Sequence, residues 1–254
     1  MNLADAKAPP RPSLLLPALF TLAGVLVLLA LGVWQWQRLG WKNAIVAQID
    51  SRIHAPARPL PPSAQWAGLA SGDHEYERFS AIGVWRPDQT VYIWRSSGKA
   101  AGQMAQPGYW VMAPLSLADG SNILVNRGFI TQDQRAAFSP KAAAPAGIVT
   151  VTGLLRQPET RSVFTPADNP AKGEWYTRDP LAVSAALKLE KPAPFSLDED
   201  AYAAPPGAPA GGATILDIPN NHLSYALTWF GLAATLLGVF AAFAWRQTRA
   251  PSLS

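Results

Sequence analysis

Of the three histidines in this chain, one stands where an imidazole could do chemistry. His222 opens the stretch NNHLSYALTWFGLA (residues 220–233), at the head of a run, residues 218–245, that holds no Asp, Glu, Lys or Arg. About 20 mostly apolar residues suffice for a helix to cross a bilayer, so this run is long enough. His222, Tyr225 and Trp229 fall at i, i+3 and i+7, which places them on one face of such a helix. An ionisable group at the edge of an apolar span is costly, and imidazole there suits proton transfer or metal ligation. The plainer alternative is an interfacial belt in which Tyr and Trp anchor the helix and the histidine meets water.

A few other groups have chemistry-bearing types. Asn126-Arg127-Gly128 follows the apolar run 123–125; a guanidinium at a strand end beside glycine suits a buried ion pair or carboxylate recognition, or else a structural arginine holding loop carbonyls. Trp34, Trp36 and Arg38, together with Trp229, gather aromatic surface at one membrane level, as a belt anchor or as a flat apolar pocket. His54 and His74 lie in proline- and charge-rich surroundings and read as surface residues. Asp73, Glu75 and Glu77 read as a solvated face before a strand, and Asp198-Glu199-Asp200 as an exposed acidic turn.

Much chemistry is excluded. With no cysteine, there are no disulfides, thiolate metal sites, covalent c-type haem links or cysteine nucleophiles. Three Met and three His argue against a copper or zinc carrier and favour a cofactor that brings most of its own ligands, such as haem. GxSxG, Walker A, GxGxxG and HExxH are all missing, and no nucleophile–base pairing suggests a hydrolase; the chain reads as a non-enzyme. Residues 38–217 carry 17 Lys/Arg against 16 Asp/Glu, a net of +1, so the overall +4 resides mostly in the tails. A nucleic-acid partner requires a basic patch, and none is present.

The elements that must position His222 follow from periodicity. Residues 1–12 form a polar, proline-rich tail. Residues 13–37 form a first transmembrane helix, too long for the apolar core of a cleaved signal peptide and read as an uncleaved anchor. Arg38, Lys42, Ile45, Ile49 and Ile53 repeat at helical spacing, which predicts an amphipathic extension over 38–55 until Pro56, Pro59, Pro61 and Pro62 break it. Residues 56–204 form a β-rich domain. Within it, 78–85 and 90–94 flank Arg86-Pro87-Asp88-Gln89 as a predicted hairpin. Residues 109–115 and 122–130 flank the turn at Ala118-Asp119-Gly120-Ser121. Residues 148–156 alternate β-branched side chains as a further strand, and 195–197 form a short one. Residues 180–189 read as a helix with Asp179 as N-cap before Pro180. Residues 205–217 are a linker, 218–245 the second transmembrane helix and 246–254 a tail. The whole is an α+β membrane protein, a small barrel or sandwich between two terminal transmembrane helices. Lys7 and Arg11 in one tail and Arg246 and Arg249 in the other predict both termini in the cytoplasm. The central domain then lies outside, in a bacterial periplasm, on a multi-pass protein of the inner membrane.

Three segments, LGVWQWQRLGWKNAIVAQID (31–50), SNILVNRGFI (121–130) and NNHLSYALTWFGLA (220–233), together resemble the Surfeit-locus cytochrome c oxidase assembly family. Gly83, Asp119-Gly120, VTGLLR and the segment from Asp168-Asn169-Pro170 to Trp175 extend the similarity over nearly the whole chain. Arg95-Ser96-Ser97-Gly98 is a looser match. The resemblance implies a biogenesis factor or chaperone of the respiratory chain that handles haem a on its way into subunit I, the large catalytic subunit of haem-copper oxidase. The haem a synthesis machinery and membrane lipid are its implied partners. It implies that His222 is the axial ligand of the haem iron, while Arg127 and Trp175 match family positions as structural or partner-contact candidates. On that reading Tyr225, Trp229 and Trp34 line the porphyrin, and Arg38 or Lys42 meets its propionates. A scaffold of the same family that stabilises subunit intermediates without binding haem is the alternative.

Overall fold

The computed structural model describes residues 13–96, 106–201, 208, 209, 211, 212 and 220–249. The expected tail 1–12, most of the linker 205–217, the end of the C-terminal tail and Ser97-Gly98 lie outside them. The chain divides into two compact units, Met1–Ala47 with Ile218–Ser254, and Gln48–Asp217.

The first unit is a pair of helices. Helix α1, Leu15–Ile53, is continuous over 39 residues, so the anchor and its predicted extension are one element. Leu, Ala and Val dominate its first half, and Pro17 is tolerated because first-turn amides have no intrahelical partner. The C-terminal helix, named α5 below, spans His222–Arg249: it starts four residues later than expected and runs on through Arg249. Both are long and apolar enough to cross a membrane by length and composition. Their contact is made by small residues. Ala226 and Ala233 are buried, and Gly32 accommodates the Phe230 ring, where a Cβ would lie 2.4 Å from Cε1. Glycine and alanine let the two helix backbones approach closely.

The second unit is a closed five-stranded barrel. Strands β1 (Arg58–Pro59), β2 (Arg78–Trp85), β3 (Val91–Ser96), β4 (Pro107–Leu117), β5 (Asn122–Thr131), β6 (Ile148–Arg156) and β7 (Pro192–Glu199) form the sheet. Pairing runs β2–β6–β7–β5–β4 and returns to β2, with β1 and β3 appended at the rim. All ring pairs are antiparallel except β5–β7. The predicted strand 195–197 is thus the middle of an eight-residue strand that closes the barrel. Short helices α2 (Trp66–Leu69), α3 (Pro140–Ala143) and α4 (Pro180–Ala186) complete the unit. Asp179 caps α4 as expected, its carboxylate accepting from the Leu181 and Ala182 amides.

One strand prediction fails. β2 and β3 do not pair as a hairpin; both lie antiparallel along the same edge of β4, Trp85 facing Leu115 and Val91 facing Met112. Pro87 starts a 3-10 turn, Pro87–Gln89, which jogs the chain sideways without reversing it. Arg86-Pro87-Asp88-Gln89 lacks the Asn-Gly or Asp-Gly pair whose positive φ values a tight hairpin needs. The real hairpin is β4–β5, through the predicted turn at 118–121, with Gly120 at φ +78°.

Two cores result from strand alternation. The barrel interior packs Phe79, Ala81, Trp85, Leu115, Ile123, Val125, Leu155, Phe195 and Leu197, with Trp66 of α2 meeting Phe195 edge-on at 5.7 Å. On the outer face, α4 covers a second cluster of Val91, Ile93, Met112, Leu124, Trp175 and Val183. Burial of such side chains contributes about 1.5–3 kcal/mol each.

Candidate functional site

His222 is the first residue of α5 and is partly buried. Its Nδ1 lies 2.8 Å from Oε1 of Gln35 on α1. Close by in sequence, Asn220 donates from Nδ2 to Asn43 Oδ1 at 2.7 Å, a second polar link to α1. Gln35 is a polar residue between two tryptophans, Trp34 and Trp36, which are each more than half exposed. Helical spacing turns Gln35 inward with Gly32 while the tryptophans face outward. Tyr225 is also exposed, whereas Trp229 is partly buried. The i, i+3, i+7 face is therefore divided: His222 and Trp229 border the helix contact, and Tyr225 lies outside it. Arg38 stacks its guanidinium on Trp41, 4.0 Å from the ring centroid, leaving an exposed cation beside aromatic surface.

Among the described residues no three His, Cys, Asp or Glu side chains gather to hold a metal ion. A metal at His222 would need to bring its remaining ligands. The donor set fits such a group: one imidazole, whose Nε2 has no hydrogen-bond partner among the described residues, on the helix that also exposes Tyr225. His54, just past the end of α1, is exposed and contacts Asp50 of that helix, and His74 contacts Glu77 at 3.1 Å.

The second constellation is a charge network built on the β7 carboxylates. The predicted exposed acidic turn is instead the end of β7, with Asp198 buried and Glu199 and Asp200 partly buried. Asp198 is 3% exposed and accepts from Arg156 Nη1 at 2.8 Å, Arg178 Nη1 at 3.4 Å and Asn126 Nδ2 at 3.0 Å. Arg156 continues to Glu75 at 2.8 Å; Arg178 reaches Glu159 at 3.7 Å, and Glu159 binds Arg95. Charges alternate along Glu75–Arg156–Asp198–Arg178–Glu159–Arg95, three of each sign. Burial lowers the Arg178 pKa, opposed by Asp198; for Arg156 the attraction of Asp198 and Glu75 outweighs burial and raises it. The predicted solvated face around His74 is likewise paired, through Glu75 and through Glu77 with Arg58. The sequence reading missed these residues because each carboxylate meets its arginine across a long separation.

Arg127 points the other way, into the end of the barrel. Its carbon Cζ lies 4.8 Å from the Trp85 ring, Nη2 donates to the Ala143 carbonyl at 2.9 Å, and Nε lies 3.4 Å from Glu199 Oε2. Both sequence readings, ion pair and carbonyl anchor, are present at once. Burial raises the Glu199 pKa to about 7, against the pull of Arg127. The backbone explains the motif: Asn126 faces Met112 and Phe129 faces Trp110, so Arg127 and Gly128 together oppose one residue in a β-bulge. Gly128 takes φ +127°, which a side chain would disfavour. Trp175 is a core residue, 4% exposed, whose carbonyl accepts from the Trp94 amide at 2.8 Å. The structure thus brings His222 together with Gln35, and leaves Arg127 and Trp175 to the architecture of the barrel unit.

Comparison with known proteins adds one consistent result. The model of the SURF1 family matches residues 22–234. Surfeit locus protein 1 of Mus musculus is 31% identical over 214 residues, covering 80% of this chain and 68% of its own length. The Homo sapiens protein of the same name is 30% identical over 215 residues, covering 80% and 69%. A SURF1-like protein of Monosiga brevicollis is 30% identical over 221 residues, covering 84% and 82%.

Proposed function

The chain belongs to the SURF1 family, and from that premise we propose that it is a membrane-anchored assembly factor for haem-copper cytochrome c oxidase that holds haem a and hands it to the large catalytic subunit. The observation that carries the haem reading is the partly buried imidazole of His222 at the head of an apolar helix, among described residues that gather no metal-ligating cluster. A bound haem would supply the iron and its porphyrin ligands, and His222 would supply one imidazole nitrogen to it. One protein ligand suits a carrier, since a site closed by two would hold its cargo against transfer. Exposed Trp34, Trp36 and Tyr225 offer apolar surface to the ring and its tail, and Arg38 a cation to a propionate. Binding and release suffice, and no bond-making chemistry is assigned.

The proposed topology places both termini in the cytoplasm and the barrel outside, on the strength of Arg246 and Arg249 in the last turn of α5 and of Lys7 and Arg11 before α1. A reporter inserted after Leu189 is expected to be active only outside the cytoplasm; activity inside reverses the assignment. For haem, the full chain is purified in detergent from cells that make haem a. A haem a absorption band present in the native protein and lost in His222→Ala supports the ligand assignment. Full retention by that variant removes His222, and a native protein that carries no haem while still required for oxidase assembly supports a scaffold instead.

A further inference from the structure

A neutral imidazole carries one proton, on Nδ1 or on Nε2, and only the bare nitrogen can ligate a metal. The atom 2.8 Å from His222 Nδ1 is the amide oxygen of Gln35, which accepts and cannot donate. A neutral ring bonded to that oxygen would carry its proton on Nδ1 and its lone pair on Nε2, the nitrogen with no hydrogen-bond partner among the described residues. We infer that Gln35 is the positioning residue of this site: it selects the Nδ1–H tautomer of His222 and fixes the rotation of the ring, so that Nε2 is presented as the metal-binding atom. This rests on the reading of His222 as an iron ligand and names the residue that prepares it.

Three features support the assignment over simple helix adhesion. First, Gln35 is turned to the helix contact while Trp34 and Trp36 on either side are exposed, so the amide is aimed rather than merely present. Second, adhesion is already served by another polar link to α1, from Asn220 two residues before α5 to Asn43, and by the fit of Phe230 over Gly32. Third, the partner is neutral. A carboxylate on Nδ1–H would make the imidazole a stronger donor; an amide orients the ring without tightening the metal bond, as a site that must release its cargo requires.

The test uses the full chain in detergent, in a His54→Gln, His74→Gln background that leaves one histidine, labelled with nitrogen-15. In the metal-free protein the nitrogen resonances report the tautomer directly. The native residue is expected to be predominantly Nδ1–H, and Gln35→Leu to shift toward the Nε2–H form that an unconstrained histidine prefers. Loss of such an orienting partner typically weakens metal binding roughly 10–100-fold, and Gln35→Leu should lose haem affinity on that scale. Gln35→Glu should retain haem and move its reduction midpoint to lower potential. Asn43→Leu, which breaks the bond from Asn220 to α1, should change neither readout. An unchanged tautomer in Gln35→Leu overturns the inference, as does an equal loss of haem in Asn43→Leu, which would mark a packing effect. If His222→Ala keeps its haem, the ligand reading itself has failed, and the metal-free resonances still decide whether Gln35 sets the tautomer.

Discussion

Replacing Asp198 by Asn tests whether the barrel depends on its buried charge network. The change keeps the side-chain shape and removes one negative charge from a residue 3% exposed. In the native chain that charge lies between Arg156 at 2.8 Å and Arg178 at 3.4 Å, both nearly buried. Asparagine would leave Arg156 with Glu75 and the buried Arg178 with Glu159, which Arg95 already engages. It would also turn an amide hydrogen toward Arg156 if its oxygen keeps the contact with Asn126. Breaking a buried pair by removing one partner costs about 3–5 kcal/mol. Arg178 has little reserve, because its Nε has no hydrogen-bond partner and its contact with Glu159 is 3.7 Å. For a unit of this size each kcal/mol shifts the melting temperature by about 2–4 °C, so a fall of roughly 10 °C is expected. Denaturant unfolding of the full chain in detergent, followed by near-ultraviolet circular dichroism, measures the change. A loss below about 1 kcal/mol would refute the network as a structural centre and would mean that water already screens it.

Two further predictions concern the same strands. Glu199 has its pKa raised from 4.5 to about 7, chiefly by burial, against the pull of Arg127, whose Nε lies 3.4 Å away. Between about pH 4.5 and 7 the unfolded chain releases this proton while the folded one keeps it, so stability present at low pH is lost as pH rises, by about 3 kcal/mol over the window. The difference in unfolding free energy between the native chain and Glu199→Gln should slope accordingly, and a flat difference would reject the assignment. Gly153 sits where β6 crosses β7, and a Cβ there would lie 2.3 Å from the Asp198 carbonyl. Gly153→Ala should cost about 1–3 kcal/mol in the same unfolding assay through overpacking, and a neutral result would show that the strands can part.

The sequence by itself determined what local pattern can determine. Two uninterrupted apolar runs required two long helices, and β-branched alternation placed 148–156 as a strand at its observed limits. Asp179 before Pro180 specified a helix start because cap and first turn are sequence neighbours. His222 was legible too, as an ionisable residue at the head of a charge-free run. What only the tertiary structure decided was which groups meet. Gln35 carried no signal of its own in the sequence, and its bond to His222 joins positions 187 apart. The acidic triplet read as a turn because Asp and Glu are poor strand formers, so the expected strand stopped at Leu197. Strand alternation in fact sends Glu199 inward to Arg127 and Asp198 outward to Arg156 and Arg178. The β2–β3 jog escaped notice for a related reason, since both strands take their partner from β4 and not from each other. Periodicity reports the face a residue presents, and barrel closure chooses the neighbour it finds there.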